Sequence, residues 1–345
     1  MRGLVLLLLG CVVTGVLSPQ AEPGRIARQT YSILFIDSQV GAPYDALRSA
    51  MVQELQALGY DPLFNLTIEH HSLGNQAAAV RRILQEQQDG HNLIFVNGTV
   101  AAIGVRDALE QNPGLGRGLP VFFGNITDPV GLGLIRGFDE PPPGRYTGLG
   151  YAVPAVDRLR FVRKLLPDAR HLVVVHTEMP QSIAYRQMLE QALQEPDLAD
   201  LVIHYRSVPF VGGERGYRRS VQLARTHVTG MADIADVFLS PNDQMGIHPS
   251  FPGMVAEAAS VPLIGIDVRE VRENNGALAA IYNSIPDAGI IAATMVHRYL
   301  SGEDIRSIYP QLPPQRIAIH AGLARRYGIE LSPGLLDRPE VELVQ

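Results

Sequence analysis

Cysteine is almost absent from this chain: Cys11 is the only one, and it lies inside an apolar N-terminal stretch. Once that stretch is removed no thiol remains, which excludes a disulfide framework, a thiol nucleophile and a thiolate metal site. Tryptophan is missing altogether, and Lys164 is the only lysine. Aromatic contact with a ligand therefore falls to tyrosine and phenylalanine near predicted strand ends, Tyr44, Phe123, Tyr151 and Tyr282, of which Tyr44 and Tyr282 sit beside polar turn residues and Phe123 belongs to the core. The formal charge of -6 carries no signature of nucleic-acid binding. Enzyme signatures are missing too: there is no P-loop, no G-x-S-x-G, and no G-x-G-x-x-G after the first strand. Gly131-Leu132-Gly133 lacks the third glycine and the acidic partner of a dinucleotide site. His70-His71 is adjacent, not at helical metal-ligand spacing, and reads as a pair of surface histidines at a strand end. No catalysis, cofactor or metal is expected.

What is present begins with an export signal. Arg2 precedes the apolar runs Leu4 to Leu9 and Val12 to Leu17, which together are short for a bilayer span and suit a leader covering residues 1–21, cleaved after Ala21. Leu8-Leu9-Gly10-Cys11 also matches a lipobox, so a lipid anchor at Cys11 is the alternative to a soluble exported protein. Either way the chain is expected outside the cytoplasm, in the periplasm or its equivalent.

Beyond residue 30 apolar strands alternate with amphipathic helices. The pattern predicts strands over Tyr31 to Ile36, Leu63 to His70, Leu93 to Val96 and Val121 to Phe123, with helices over Ala46 to Leu58 and Gln76 to Gln87. Pro141-Pro142-Pro143-Gly144 breaks the pattern, and it then starts again. Strands are predicted at His171 to His176, Leu201 to Arg206, Val237 to Ser240, Pro262 to Ile266 and Arg316 to His320, with helices between them and a polar C-terminal tail. The fold class is α/β, as two Rossmann-like lobes with parallel sheets.

The strand ends carry the chemistry. Asp37-Ser38-Gln39, Asn97-Gly98-Thr99 and Thr127-Asp128 follow buried strands in the first half, and Gln181-Ser182, Asn242-Asp243 and Asp267 do so in the second. Ligands bind at the carboxyl ends of the strands in open α/β sheets. Helix N-termini there favour a carboxylate, while Asp128, Asp243 and Asp267 suit an ammonium group. Ser, Thr, Asp and Asn are also the commonest N-caps, so only their convergence points to a ligand.

The segments NLIFVNGTVAA, VFFGNITDPVGLGL, RFVRKLLPDARHLVVVH and PLIGIDVREVRENNGALAAI, followed by AATMVHRYLSGEDI and GLARRYGIELSPGLL, occur in an order similar to one known family. From about Ser32 to Asp337 the chain resembles the ABC-transporter substrate-binding proteins of the tryptophan/tyrosine-type group, which have the periplasmic-binding-protein type I fold. The resemblance implies a first lobe of residues 31–148 plus 283–305 and a second of 149–282 plus 306–345, joined by three crossings. It places ligand-facing turns at Ser38-Gln39, Gly98-Thr99 and Thr127-Asp128, and at Gln181-Ser182, Asn242-Asp243 and Asp267. Two departures touch the cleft: Gly150-Tyr151 stands where the family often has Ser-Asp, and Val100 where it usually has proline. The implied function is capture of a small organic ligand, such as an amino acid or related zwitterion, by a monomer that delivers it to an ABC permease in the inner membrane. The alternative is a periplasmic ligand-sensing module coupled to a membrane receptor or kinase.

Overall fold

Short apolar runs bounded by polar turns form strands in this chain, and the runs at helical spacing between them form the layers that cover both sheet faces. The computed structural model describes residues 29–87, 90–272 and 276–345. The expected leader and Cys11 lie outside the described residues. The first sheet contains β1 (Tyr31–Asp37), β2 (Leu66–Ser72), β3 (Leu93–Asn97), β4 (Val121–Ile126) and β5 (Tyr146–Gly150), in the order β2-β1-β3-β4-β5, all parallel. Every residue of β3 and β4 is buried, as expected for strands covered on both faces.

The second sheet has seven strands. They are β6 (His171–Thr177), β7 (Val202–Val208), β8 (Val237–Leu239), β9 (Leu263–Gly265), β10 (Ala279–Asn283), β11 (Gln315–His320) and β12 (Val341–Val344). Their order is β12-β11-β10-β9-β8-β6-β7, and only the β10/β11 pair is antiparallel. Three strands, β5, β10 and β12, are not among those predicted. β5 (YTGLG) carries two glycines, β10 (AAIYN) opens on alanines, and β12 (VELV) lies at the sheet edge in the tail expected to be polar. β2 begins later than its apolar run because a turn on the Asp61 carbonyl holds Phe64, Asn65 and Leu66, and leaves Leu63 and Phe64 exposed.

The helices that position the site are α1 (Tyr44–Ala57), α2 (Ala79–Glu86) and α3 (Thr99–Gln111) beside the first sheet. α4 (Ala155–Leu165), α5 (Pro180–Ala192), α6 (Gly213–Met231), α7 (Ser250–Ala258) and α8 (Arg269–Arg272) lie beside the second. α9 (Ile285–Leu300) leaves β10 and returns to the first sheet, where Ala288, Ala292 and Met295 share one core with Leu47, Met51 and Phe35. Ser284 caps it by accepting the Asp287 N–H at 3.4 Å. The short α10 (Ala321–Arg326) and α11 (Pro333–Leu336) follow β11.

The crossing segments are tied to one another by hydrogen bonds. Gly150 N donates to Gln311 O (3.0 Å) and Gln311 N to Gly148 O (2.9 Å). Thr147 Oγ1 donates to Ile308 O (2.6 Å), and Asn283 Nδ2 to Tyr151 O (2.8 Å). The expected change of lobe at 148/149 falls inside β5, which stays with the first sheet to Gly150. Likewise Ile308 is buried in the α1/α9 core.

Candidate functional site at the facing strand ends

The carboxyl ends of the two sheets face each other across a cavity. From the first sheet it is lined by Pro43, Tyr44, Thr99, Asn125 and Thr127, and from the second by Gln181, Asn242, Asp243, Gln244, Ile247 and Ile266, with Tyr151 at the crossing between them. It leaves about 30 Å³ for water centres, room for a water or two. The lining side chains themselves join the two halves. Asn242 Nδ2 donates to Thr127 Oγ1 (2.8 Å), and Gln244 Nε2 to the Tyr44 hydroxyl (2.8 Å). A third link, from the Tyr217 hydroxyl on α6 to Gln39 Oε1, lies at the side.

On the first-sheet side a chain of carboxamides leads inward from β1. Asp37 is fully buried, and Asn97 Nδ2 donates to its Oδ1 (2.6 Å). Asn125 Nδ2 in turn donates to Asn97 Oδ1 (2.8 Å), which leaves the Asn125 oxygen as the group it can offer a ligand. Burial pushes the Asp37 carboxyl up, opposed by the Arg48 guanidinium and by His70, whose Nε2 lies 2.7 Å from Asp37 Oδ2. His70, expected as a plain surface residue, thus braces the site from behind. Gly98 begins α3 at a φ of 103°. A Cβ there would stand 2.5 Å from both Ser38 Oγ and Tyr44 Cε1, so only glycine lets α1, β1 and α3 meet at this point.

On the second-sheet side Asp243 is the organising group. Its Oδ2 accepts from Thr177 N (2.8 Å), Thr177 Oγ1 (2.8 Å) and Ser182 Oγ (2.9 Å), and its Oδ1 from Met245 N (2.9 Å) and Gly246 N (3.0 Å). Those five donors meet a carboxylate with about four lone-pair sites, so its charge is already engaged within its own half. Gln181 Nε2 donates to Gln244 Oε1 (2.8 Å), but Gln181 Oε1 is buried without a partner. Burial pushes both the Tyr44 and the Tyr151 phenol up, so both stay protonated and can donate. Among the described residues no His, Cys, Lys or Arg lines the cavity. The lining can therefore hold a ligand by hydroxyls, carboxamides and apolar contact.

Seven of the expected site residues line this cavity: Tyr44, Thr99, Thr127, Tyr151, Gln181, Asn242 and Asp243. Four support it from behind. Ser38 Oγ accepts the Ala101 N–H (3.0 Å) at the start of α3, Gln39 Oε1 bonds Asn75 Nδ2 (2.7 Å) and Tyr217, Gly98 supplies the close approach, and Ser182 serves Asp243. Three stand apart. Asp128 Oδ1 accepts from Gly131 N (2.8 Å) in its own turn, and Asp267 pairs with Arg269 (2.8 Å). Tyr282, on β10, packs partly buried against the core between the second sheet, α6 and α7. Neither Asp128 nor Asp267 is placed to meet an ammonium group in the cavity, because each is claimed by a neighbour in its own turn.

Five lining residues escape the strand-end pattern: Pro43, Asn125, Gln244, Ile247 and Ile266. Asn125 had a usable signal, the polar Gly124-Asn125 pair inside an apolar strand. It marks a shift of the β4/β5 register between Phe123 and Ile126, and Asn125 takes a φ of 53°. Such irregularities re-aim side chains, and asparagine tolerates that conformation better than most residues. Gln244 directly follows Asn242-Asp243 and was legible only as the next residue of that turn.

Comparison with known proteins bears on the fold and the family. A curated tyrosine-binding protein of Clostridioides difficile (strain R20291) is 22% identical over 269 residues, 76% of this chain and 71% of that protein. Among solved structures, a conserved domain protein from Vibrio cholerae O1 biovar El Tor superposes with a TM-score of 0.73 at 18% identity, covering 92% of this chain and all of the other. An ABC domain from Streptococcus pneumoniae in complex with L-Trp gives a TM-score of 0.71 at 19% identity, with 92% of this chain and 100% of that one covered. These likenesses show two α/β lobes of the periplasmic-binding-protein type I fold. The family described as ABC transporter substrate binding protein matches residues 40–340, most of the chain. The chain therefore belongs to the ABC transporter substrate-binding protein family.

Proposed function

We propose that this is an exported solute-binding protein that closes its two lobes on a small organic ligand, an amino acid or related zwitterion, and delivers it to an ABC permease in the inner membrane. The observation that carries this reading is the cross-cavity pairing of Asn242 with Thr127 and of Gln244 with Tyr44, made by the very side chains that line the cavity. A ligand entering there exchanges these contacts for its own and bonds both halves at once. Its carboxylate would meet the Tyr44 and Tyr151 phenols, and its ammonium the Gln181 and Asn125 carboxamide oxygens. The tyrosine-binding and L-Trp-bound relatives support an amino-acid-like ligand. Shifting an open/closed balance from 1:99 to 99:1 takes about 5.5 kcal/mol of differential binding. A micromolar ligand supplies roughly 8 kcal/mol in all, so ordinary affinity suffices. The closed shape would then be read by the permease across both lobes, and residues 1–21 would direct export.

The test is a thermal-shift and calorimetric screen of the purified protein against the common amino acids. One or a few should raise the melting temperature, and Thr127→Val should weaken their binding about tenfold. A flat screen, or Thr127→Val binding with unchanged affinity, would refute the reading. Recovery of the mature chain only from the cytosol would refute export.

A further inference from the structure

Leu63 and Phe64 are the most exposed large apolar side chains among the described residues, at 83% and 81%, and they stand side by side at the tip of the turn between α1 and β2. The donors of that turn are spent inside it. Asp61 N donates to Asn65 Oδ1 (2.6 Å) and Leu63 N to Asp61 Oδ1 (2.8 Å). Phe64 N, Asn65 N and Leu66 N all donate to Asp61 O (3.0, 2.9 and 3.0 Å), and Pro62 has no N–H. Every backbone donor from Asp61 to Leu66 is thus satisfied without water, so the tip can leave water without stranding one. The base of the turn is fixed as well. Asn65 Nδ2 donates to Gly59 O (3.0 Å), while Tyr60 packs edge-on against Tyr31 (5.1 Å) and its hydroxyl meets His297 Nδ1 (2.9 Å). Charge is scarce around it: from Leu55 to Ile68 the only charged residue is Asp61, whose Oδ1 is engaged in the turn, in a chain that is 19% charged.

Shape, area and the adjoining chain select the occupant. Two side chains of this size bury about 200 Å² each, against roughly 800 Å² per partner for a stable protein interface. A convex tip also demands a matching pocket from a protein, and a fluid surface needs none. The chain enters the fold at this same place, because Tyr31 N donates to Asn65 O (2.8 Å) and Tyr31 lies in register with Leu66. Upstream in the sequence are the apolar runs Leu4 to Leu9 and Val12 to Leu17, which a leader places in the membrane, then Arg25 and Arg28, which suit anionic headgroups. Between Ala21 and Tyr31 the single large apolar residue is Ile26, too little to cover both side chains.

We propose that Leu63 and Phe64 form a knob that seats in the interface of an anionic phospholipid bilayer, beside the point where the N-terminal segment reaches the fold. The two side chains enter the boundary between headgroups and acyl chains, and the closed turn carries its own hydrogen bonds with it. A contact of two side chains is too weak to anchor a protein alone, so it orients the first sheet toward the membrane while the N-terminal segment or the arginines hold the chain there. It is independent of what the cavity binds.

The chain has no tryptophan, so Phe64→Trp in the full chain is a single reporter at the tip. On vesicles of phosphatidylethanolamine and phosphatidylglycerol its emission should shift to the blue and be quenched by lipids spin-labelled near the headgroup. Ile234→Trp, at a position 48% exposed between α6 and β8, should show neither change. Adding Leu63→Glu to Phe64→Trp should lower the in/out equilibrium of the tip about tenfold, read as loss of most of the shift. Emission of Phe64→Trp unmoved by vesicles, an equal shift for Ile234→Trp, or a shift that survives Leu63→Glu would overturn the proposal. Emission already blue without vesicles would overturn it too, assigning the tip to a second copy if the shift grows with protein concentration and to a segment of this chain if it does not.

Discussion

Replacing Glu270 by glutamine should remove a pH dependence from the stability of this protein. Glu270, on α8, is almost fully buried, and its Oε1 accepts from Ile266 N (2.7 Å) and Asp267 N (2.9 Å), while Ser240 Oγ donates to Oε2. It thereby holds the turn that brings Ile266 to the cavity. The buried Arg158 guanidinium nearby is turned to carbonyls, giving Ser240 O (2.9 Å) and Ile264 O (3.0 Å) its hydrogen bonds. Burial pushes the Glu270 carboxyl from 4.5 up to about 7, helped by the charge of Asp267 and opposed by its donors and by Arg158. A carboxyl whose pKa is raised by folding is bound to its proton more tightly in the native state than in the unfolded chain. Its stabilising effect is therefore complete below about pH 4.5 and is lost as pH rises through about 7. The size of the loss is roughly 3 kcal/mol, from about 1.4 kcal/mol for each pKa unit. Glutamine mimics the protonated acid: its oxygen accepts from Ile266 and Asp267, and its amide donates to Ser240. Urea unfolding of both proteins from pH 4.5 to 8 isolates the group, because the other titrations are shared. The wild-type stability should fall by about 3 kcal/mol relative to Glu270→Gln across that range. A difference that stays flat, or that rises with pH, would refute the reasoning.

Asp243→Asn turns an N–H2 group toward donors that now meet an oxygen, and should destabilise the protein by about 3 kcal/mol while abolishing ligand binding. Unchanged urea unfolding would show that Asp243 is not the hub described. Gly148, at a φ of 154°, leaves no room for a Cβ, which would collide with the Phe123 main chain. Gly148→Ala should therefore lower stability by about 3 kcal/mol or more, and a loss under about 1 kcal/mol would mean that β4 and β5 separate easily. Asn242→Ala removes the donor to Thr127 Oγ1 and should shift the ligand-free protein toward an open form, read as a larger radius of gyration by solution X-ray scattering. An unaltered profile would assign closure to other contacts.

Much of the site was legible in the amino-acid order. Thr99, Thr127, Gln181, Asn242 and Asp243 follow strands in the sequence, and all five reach the cavity. Ser38, Asp128 and Asp267 bear the same signature and do other work, at a helix start, in a turn and in an ion pair. The two groups look alike in sequence because a side-chain oxygen that caps a helix and one that faces a ligand occupy the same place at a strand end. Asn125 and Ile266 were less visible, one behind an irregular register and the other as an apolar residue closing a strand.

The sequence by itself determined the alternation of buried strands and helices, and with it two mostly parallel sheets whose carboxyl ends carry hydroxyls and carboxamides. Those are properties of local periodicity and of residue types, which act over a few turns of chain. Only the tertiary structure decided which of these groups meet. Thr127 and Asn242 are 115 residues apart and touch because long-range packing sets the strand ends of the two sheets against each other. The saturation of Asp243 and the unpaired oxygens of Gln181 and Asn283 arise from the same long-range packing. A hydrogen-bond partner across a cleft leaves no mark in local sequence, since it depends on how the cores beside the two sheets are joined.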